Sequence, residues 1–168
     1  MIRLYKILTF LLQPIGFVVL MMSMSTLMMA MSAPQLLIAG AVGVCVFLYT
    51  FFCFRFTVRA VVANEPVKAN LKDWIKVNSY VTLLQGLLML FSVVALLVVP
   101  EEAFGQAFRQ TYDMLVAQSP NSDFLTYGLF VKTMRTTFAI VGVVELLLVV
   151  HVFLGWRMLK GYREYFSK

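Results

Sequence analysis

The stretch Thr136–Trp156, TTFAIVGVVELLLVVHVFLGW, constrains this chain more than any other. Arg135 and Arg157 bracket it and leave 21 residues between them. At about 1.5 Å per residue this is roughly 32 Å of helix, the thickness of a bilayer's hydrocarbon core. Three further apolar runs, at about 7–31, 36–54 and 77–99, have comparable length. The chain is 61% hydrophobic and 13% charged, and its charges cluster at the ends of these runs. A soluble core does not need that pattern, whereas a bilayer does, because only helices and closed barrels satisfy every backbone group in lipid. The expected fold is an all-α integral membrane protein, a four-transmembrane-helix bundle of two antiparallel hairpins forming one domain over residues 1–168.

Connections support that order. Ser32-Ala33-Pro34-Gln35 is a tight uncharged turn that makes spans one and two a hairpin. Gln13-Pro14 should kink the first span or separate an interfacial first turn. A secretory signal is the competing reading of that span, but its apolar body of about 25 residues exceeds the usual 7–15. Asn64-Glu65-Pro66 reads as a helix stop, and Asn70 as the N-cap of the next helix, with Asp73 in its first turn. Residues 101–118 read as a short extracytoplasmic amphipathic helix. Phe104, Ala107, Phe108, Tyr112 and Leu115 share one face, which would lie on the membrane surface or cap the bundle. Ser119–Asp123 would end it and cap a helical lead into span four. Shared words, Leu-Leu-Gln at 11–13 and 83–85 and Val-Phe-Leu before Phe54-Arg55 and Trp156-Arg157, hint that the hairpins are duplicates.

The net charge of +6 does not point to nucleic acid, because the cations flank apolar spans. The expected partners are the bilayer and anionic headgroups at the cytoplasmic face. Eleven basic residues fall on the side of the termini and the 55–76 connection; Arg109, Lys132 and Arg135 fall on the other. The positive-inside rule then places both termini in the cytoplasm, the expected location being a bacterial cytoplasmic (inner) membrane.

Little chemistry is visible. Glu145 lies about 15 Å along its helix from Arg135 and about 18 Å from Arg157, too deep to snorkel. A neutral carboxyl there, hydrogen-bonded by Gln85, Ser23, Ser25 or Thr26, would fix helix packing, and an ion or proton site is the alternative. His151, the one histidine, is rotated some 120° from Glu145 and reads as a satisfied interior residue. Met21, Met24, Met28 and Met31 share a helix face, which suits either plastic packing or, through thioethers, Cu(I). Ala39 and Gly43 form a small-xxx-small pair for close helix approach. Cys45 and Cys53, about 12 Å apart on a helix, read as apolar fillers. With no phosphate-binding glycine loop, HExxH, CxxC or nucleophile elbow, no enzyme and no cofactor are expected. The leading expectation is a non-catalytic scaffold or accessory subunit working through helix packing, as a homo-oligomer or in a larger complex. The runner-up is a small ion- or proton-coupled transporter or channel centred on Glu145, and the third is Cu(I) handling by the Met face.

Overall fold

The computed structural model describes residues 1–118 and 126–167. In order they form α1 (Ile2–Met29), α2 (Leu36–Phe56), a π-helical turn (Thr57–Val62), β1 (Val67–Lys68), α3 (Ala69–Val98), α4 (Glu101–Gln118), α5 (Tyr127–Gly161), a 3-10 turn (Arg163–Tyr165) and β2 (Phe166–Ser167). Four helical stretches, Ile2–Met29, Leu36–Val62, Ala69–Val98 and Tyr127–Gly161, are long and apolar enough to cross a membrane. Three of them exceed the apolar runs at 36–54, 77–99 and 136–156. Lys, Arg and Glu are good helix formers, so a helix continues through charged residues where hydropathy ends. α1 runs unbroken through Pro14, so no separate first turn exists. α3 begins at Ala69, which places Asn70 inside the first turn, not at the cap. The described residues fall into two compact units, 1–87 with 147–168 and 88–146.

In the first unit α1 packs along α2 through contacts whose numbers fall on one helix as they rise on the other. Phe10 meets Phe54, Phe17 meets Phe47, and Gly16, Gly43 and Gly40 face Thr50, Ser23 and Leu27. Small residues bring the two backbones close. The pair that does so on α2 is Gly40 with Gly43, because Ala39, one position earlier, is rotated about 100° outward and exposed. The end of this helix is where the Asn64 stop was expected. Asn64 takes a left-handed conformation (φ 55°), and the Glu65 amide turns back to the Arg59 carbonyl. Asparagine tolerates that conformation better than most residues. β1 then pairs in parallel with β2, Val67 opposite Phe166.

The helix pairs α1/α2 and α3/α5 repeat one another within this unit. Tyr5, Leu8, Thr9, Leu12 and Gly16 are buried on α1, and so are Ile75, Asn78, Ser79, Thr82 and Gly86, each 70 residues later. On α2 and at the start of the π-helical turn, Val46, Tyr49, Thr50, Cys53, Phe56 and Thr57 are buried, as are Leu148, His151, Val152, Gly155, Met158 and Leu159, each 102 later. The same registers relate two ring contacts, Phe10–Phe54 and Tyr80–Trp156, both with centroids 5.4 Å apart. They also align Lys6 with Lys76 and Arg55 with Arg157. Of the shared words, the aromatic–arginine pair sits in this register. The Leu-Leu-Gln and Val-Phe-Leu words do not, because Gln13 aligns with Leu83 and not with Gln85.

The second unit is organised around Phe104. Buried on α4, it packs with Phe130 and Val131 of α5, while Phe108 and Tyr112 are partly covered. Phe104, Phe108 and Tyr112 therefore pack against the chain itself, while Ala107 and Leu115 of the same expected face are exposed. Arg135 is not the free headgroup-level cation its position suggests. Its Nη2 donates to the carbonyls of Leu97 (2.9 Å) and Val99 (3.0 Å), and its guanidinium lies over the Phe104 ring. It thereby satisfies carbonyls that the end of α3 leaves without helical partners. The expected turn and cap at Ser119–Asp123 lie outside the described residues.

Candidate functional site

A sealed polar cluster forms where α1, α2 and α5 meet in the first unit. Spacing builds it. Tyr5 and Thr9 lie one turn apart on α1; Tyr49 and Cys53 lie one turn apart on α2, with Thr57 four residues on at the start of the π-helical turn; His151 and Gly155 lie one turn apart on α5. The histidine is 1% exposed. Its Nε2 lies 2.9 Å from the Thr9 hydroxyl and its Nδ1 lies 2.9 Å from the Tyr49 hydroxyl. Counting protons assigns the roles. The Thr9 hydroxyl donates to the Tyr5 carbonyl (2.8 Å), so it accepts from Nε2–H. Nδ1 then accepts from the Tyr49 hydroxyl. Tyr5 stacks on the imidazole at 4.9 Å with the planes 6° apart. Thr57 donates to the Cys53 carbonyl at 2.8 Å and approaches Thr9 at 3.4 Å.

Gly155 gives the Tyr49 hydroxyl room, since a methyl group there would stand 3.2 Å from its oxygen. Tyr49 and His151 are themselves equivalent under the 102-residue register, so their hydrogen bond joins the two repeated pairs at corresponding points. Within the α3/α5 pair, the Trp156 indole N–H donates to Ser79 Oγ at 2.7 Å. Chemically the cluster is closed. Both imidazole nitrogens are bonded, which leaves no lone pair for a metal or a substrate proton, and the arrangement serves to lock three helices in one register.

Glu145 lies in the second unit, partly buried, and its Oε2 is buried with no hydrogen-bond partner among the described residues. Its four expected partners, Gln85, Ser23, Ser25 and Thr26, belong to the first unit. Each of the three hydroxyls donates to its own helix: Ser23 to Val19 O (2.7 Å), Ser25 to Met21 O (3.1 Å) and Thr26 to Met22 O (2.9 Å). Ser25 is moreover exposed, on the opposite side of α1 from the buried Ser23. Gly43 does face a helix, through Ser23. Met21, Met24, Met28 and Met31 are 70%, 51%, 74% and 91% exposed, so their face points away from the chain's own core. Both cysteines are free, and Cys53 is buried in the cluster.

Nothing in the sequence pairs Tyr5, Thr9 and Tyr49 with His151, or Thr57 with Thr9. The signal it does carry is polar or aromatic residues at four-residue spacing on α1 and α2, near the same end as the histidine. Among the described residues no three His, Cys, Asp or Glu side chains gather as metal ligands. No known protein family, curated protein or solved structure matches the chain.

Proposed function

We propose that this chain is a non-catalytic multi-pass membrane protein, a scaffold or accessory subunit that acts by helix packing against a second copy or a larger membrane complex. The observation that carries the reading is the outward Met face of α1 on a unit whose interior polar groups at His151 are bonded among themselves. Methionine adapts its shape to a partner surface at little conformational strain, and lipid alone does not require six of them within eleven residues. In this proposal the four long helices cross a bacterial cytoplasmic membrane as two antiparallel hairpins, α4 lies on the outer side, and both termini are cytoplasmic.

Oxidative crosslinking tests the packing surface. In a Cys45→Ala, Cys53→Ala background, Met28→Cys should yield an adduct of higher mass in native membranes, and Phe91→Cys on α3 should not. Absence of any adduct through position 28 would count against the scaffold.

The unpartnered Oε2 of Glu145 favours a second reading, an ion- or proton-coupled transporter or channel. Reconstituted wild-type protein that conducts protons, and a Glu145→Gln variant that folds but does not, would put this reading first. Orientation has its own check. Single cysteines at Ala69 and Gln118 should differ towards an impermeant thiol reagent on intact cells, with only position 118 labelled. Labelling at 69 alone would invert the topology.

A further inference from the structure

A cavity of about 450 Å³ opens between α3 and α5 in the first unit, and four cations line it: Lys72, Lys76, Lys160 and Arg163. No Asp or Glu is among its lining residues, and none of the four forms an ion pair among the described residues. Lys72 is held over the Phe166 ring at 5.7 Å. Tyr80 and Trp156 form one wall, their rings 5.4 Å apart. The indole N–H is spent on Ser79, so Trp156 offers a face, not a donor.

The repeat within the chain supplies an internal control. The corresponding positions of the α1/α2 pair, under the registers of 70 and 102, are Ile2 for Lys72, Lys6 for Lys76, Phe10 for Tyr80, Phe54 for Trp156 and Val58 for Lys160. The same helix packing therefore forms with one cation where the α3/α5 pair has three, and with Phe rings where it has Tyr and Trp. Packing does not call for these charges. With no acidic side chain among the lining residues, these cations repel one another, and a bound anion would reverse that cost.

We propose that this cavity binds a phosphate-bearing anion, with the lysines supplying charge, Arg163 a forked donor pair and Tyr80 a hydroxyl. The chemistry fits a lipid phosphate headgroup, at the depth where Tyr and Trp concentrate, or a soluble phosphate. The inference rests on the reading that α3 and α5 cross a membrane. Flotation of the protein with vesicles after alkaline washing tests that reading separately.

The binding test uses full-length protein in detergent with Trp74→Phe, so that Trp156 is the remaining indole reporter. Dioctanoyl phosphatidic acid should shift its emission saturably at concentrations at least tenfold below those needed with dioctanoyl phosphatidylcholine. Lys72→Met with Lys160→Met should weaken that binding at least tenfold, at roughly fivefold per cation. Arg3→Gln, on the same expected side but outside the cavity, should change it less than twofold. Pyrophosphate that binds with the same sensitivity to the double variant identifies a soluble phosphate; pyrophosphate without effect identifies the lipid. Equal affinity for the two lipids, or equal loss from Arg3→Gln, would overturn the proposal.

Discussion

Replacing His151 with alanine should destabilise the protein by about 3–4 kcal/mol. The change empties a buried site, leaves the Tyr49 hydroxyl without its partner at roughly 1–3 kcal/mol, and removes the bond to Thr9, whose hydroxyl keeps the Tyr5 carbonyl. Tyr49→Phe removes one bond and leaves Nδ1 unpaired, so it should cost less, about 1–2 kcal/mol. The ordering matters more than either value. Unfolding by SDS from mixed micelles, followed by the fluorescence of Trp74 and Trp156, reads both variants in the unit that contains the cluster. A His151→Ala variant within about 1 kcal/mol of wild type would show that the cluster does not hold the helices together.

Gly43→Ala should cost about 1–3 kcal/mol although it adds a single methyl group. The added carbon would collide with Ser23, whose hydroxyl is already committed to the Val19 carbonyl. Moving the missing side chain to the other helix should restore the fit. Ser23→Gly combined with Gly43→Ala should recover most of the loss, leaving a coupling energy of about 1 kcal/mol or more. Ala39, four residues before Gly43, is already an alanine and exposed, so the restriction belongs to position 43 and not to every small position on α2. Additive losses in the double variant would mean that α1 and α2 do not approach through these residues.

Much of the architecture could be read from the chain. Four apolar runs became four long helices, residues 101–118 became α4 with the same bounds, and the Asn64 stop proved to be a left-handed residue. These features are local. Hydropathy, capping chemistry and turn composition act within a few residues of one another, so a single sequence displays them. Helix ends were less legible, as at Ala69 and Gly161, because hydropathy marks where lipid would end, and a helix does not have to stop there.

The site was legible only in part. Glu145 stood out because a carboxylate in an apolar run is conspicuous, and His151 because it is the single histidine. Their partners did not stand out. Thr9 lies 142 residues from His151 and Tyr49 lies 102 away, and no periodicity on one helix says which face of another it will meet. The repeat shows the same divide. Short shared words suggested it in a register off by two residues on α1 and α3, and the correct offset emerged from which residues are buried.

What the sequence determined by itself is the number and apolar character of the long helices and the asymmetry of their cations, since each follows from the composition of contiguous segments. What tertiary structure alone decided is the phase of each helix: Gly40 in place of Ala39 at the interface, Ser23 inward and Ser25 outward, the Met face exposed, Arg135 turned onto the carbonyls of Leu97 and Val99. The physical reason is that these helices are apolar almost all the way round. Hydrophobicity cannot then choose a face, and small residues and hydrogen bonds between distant side chains make the choice.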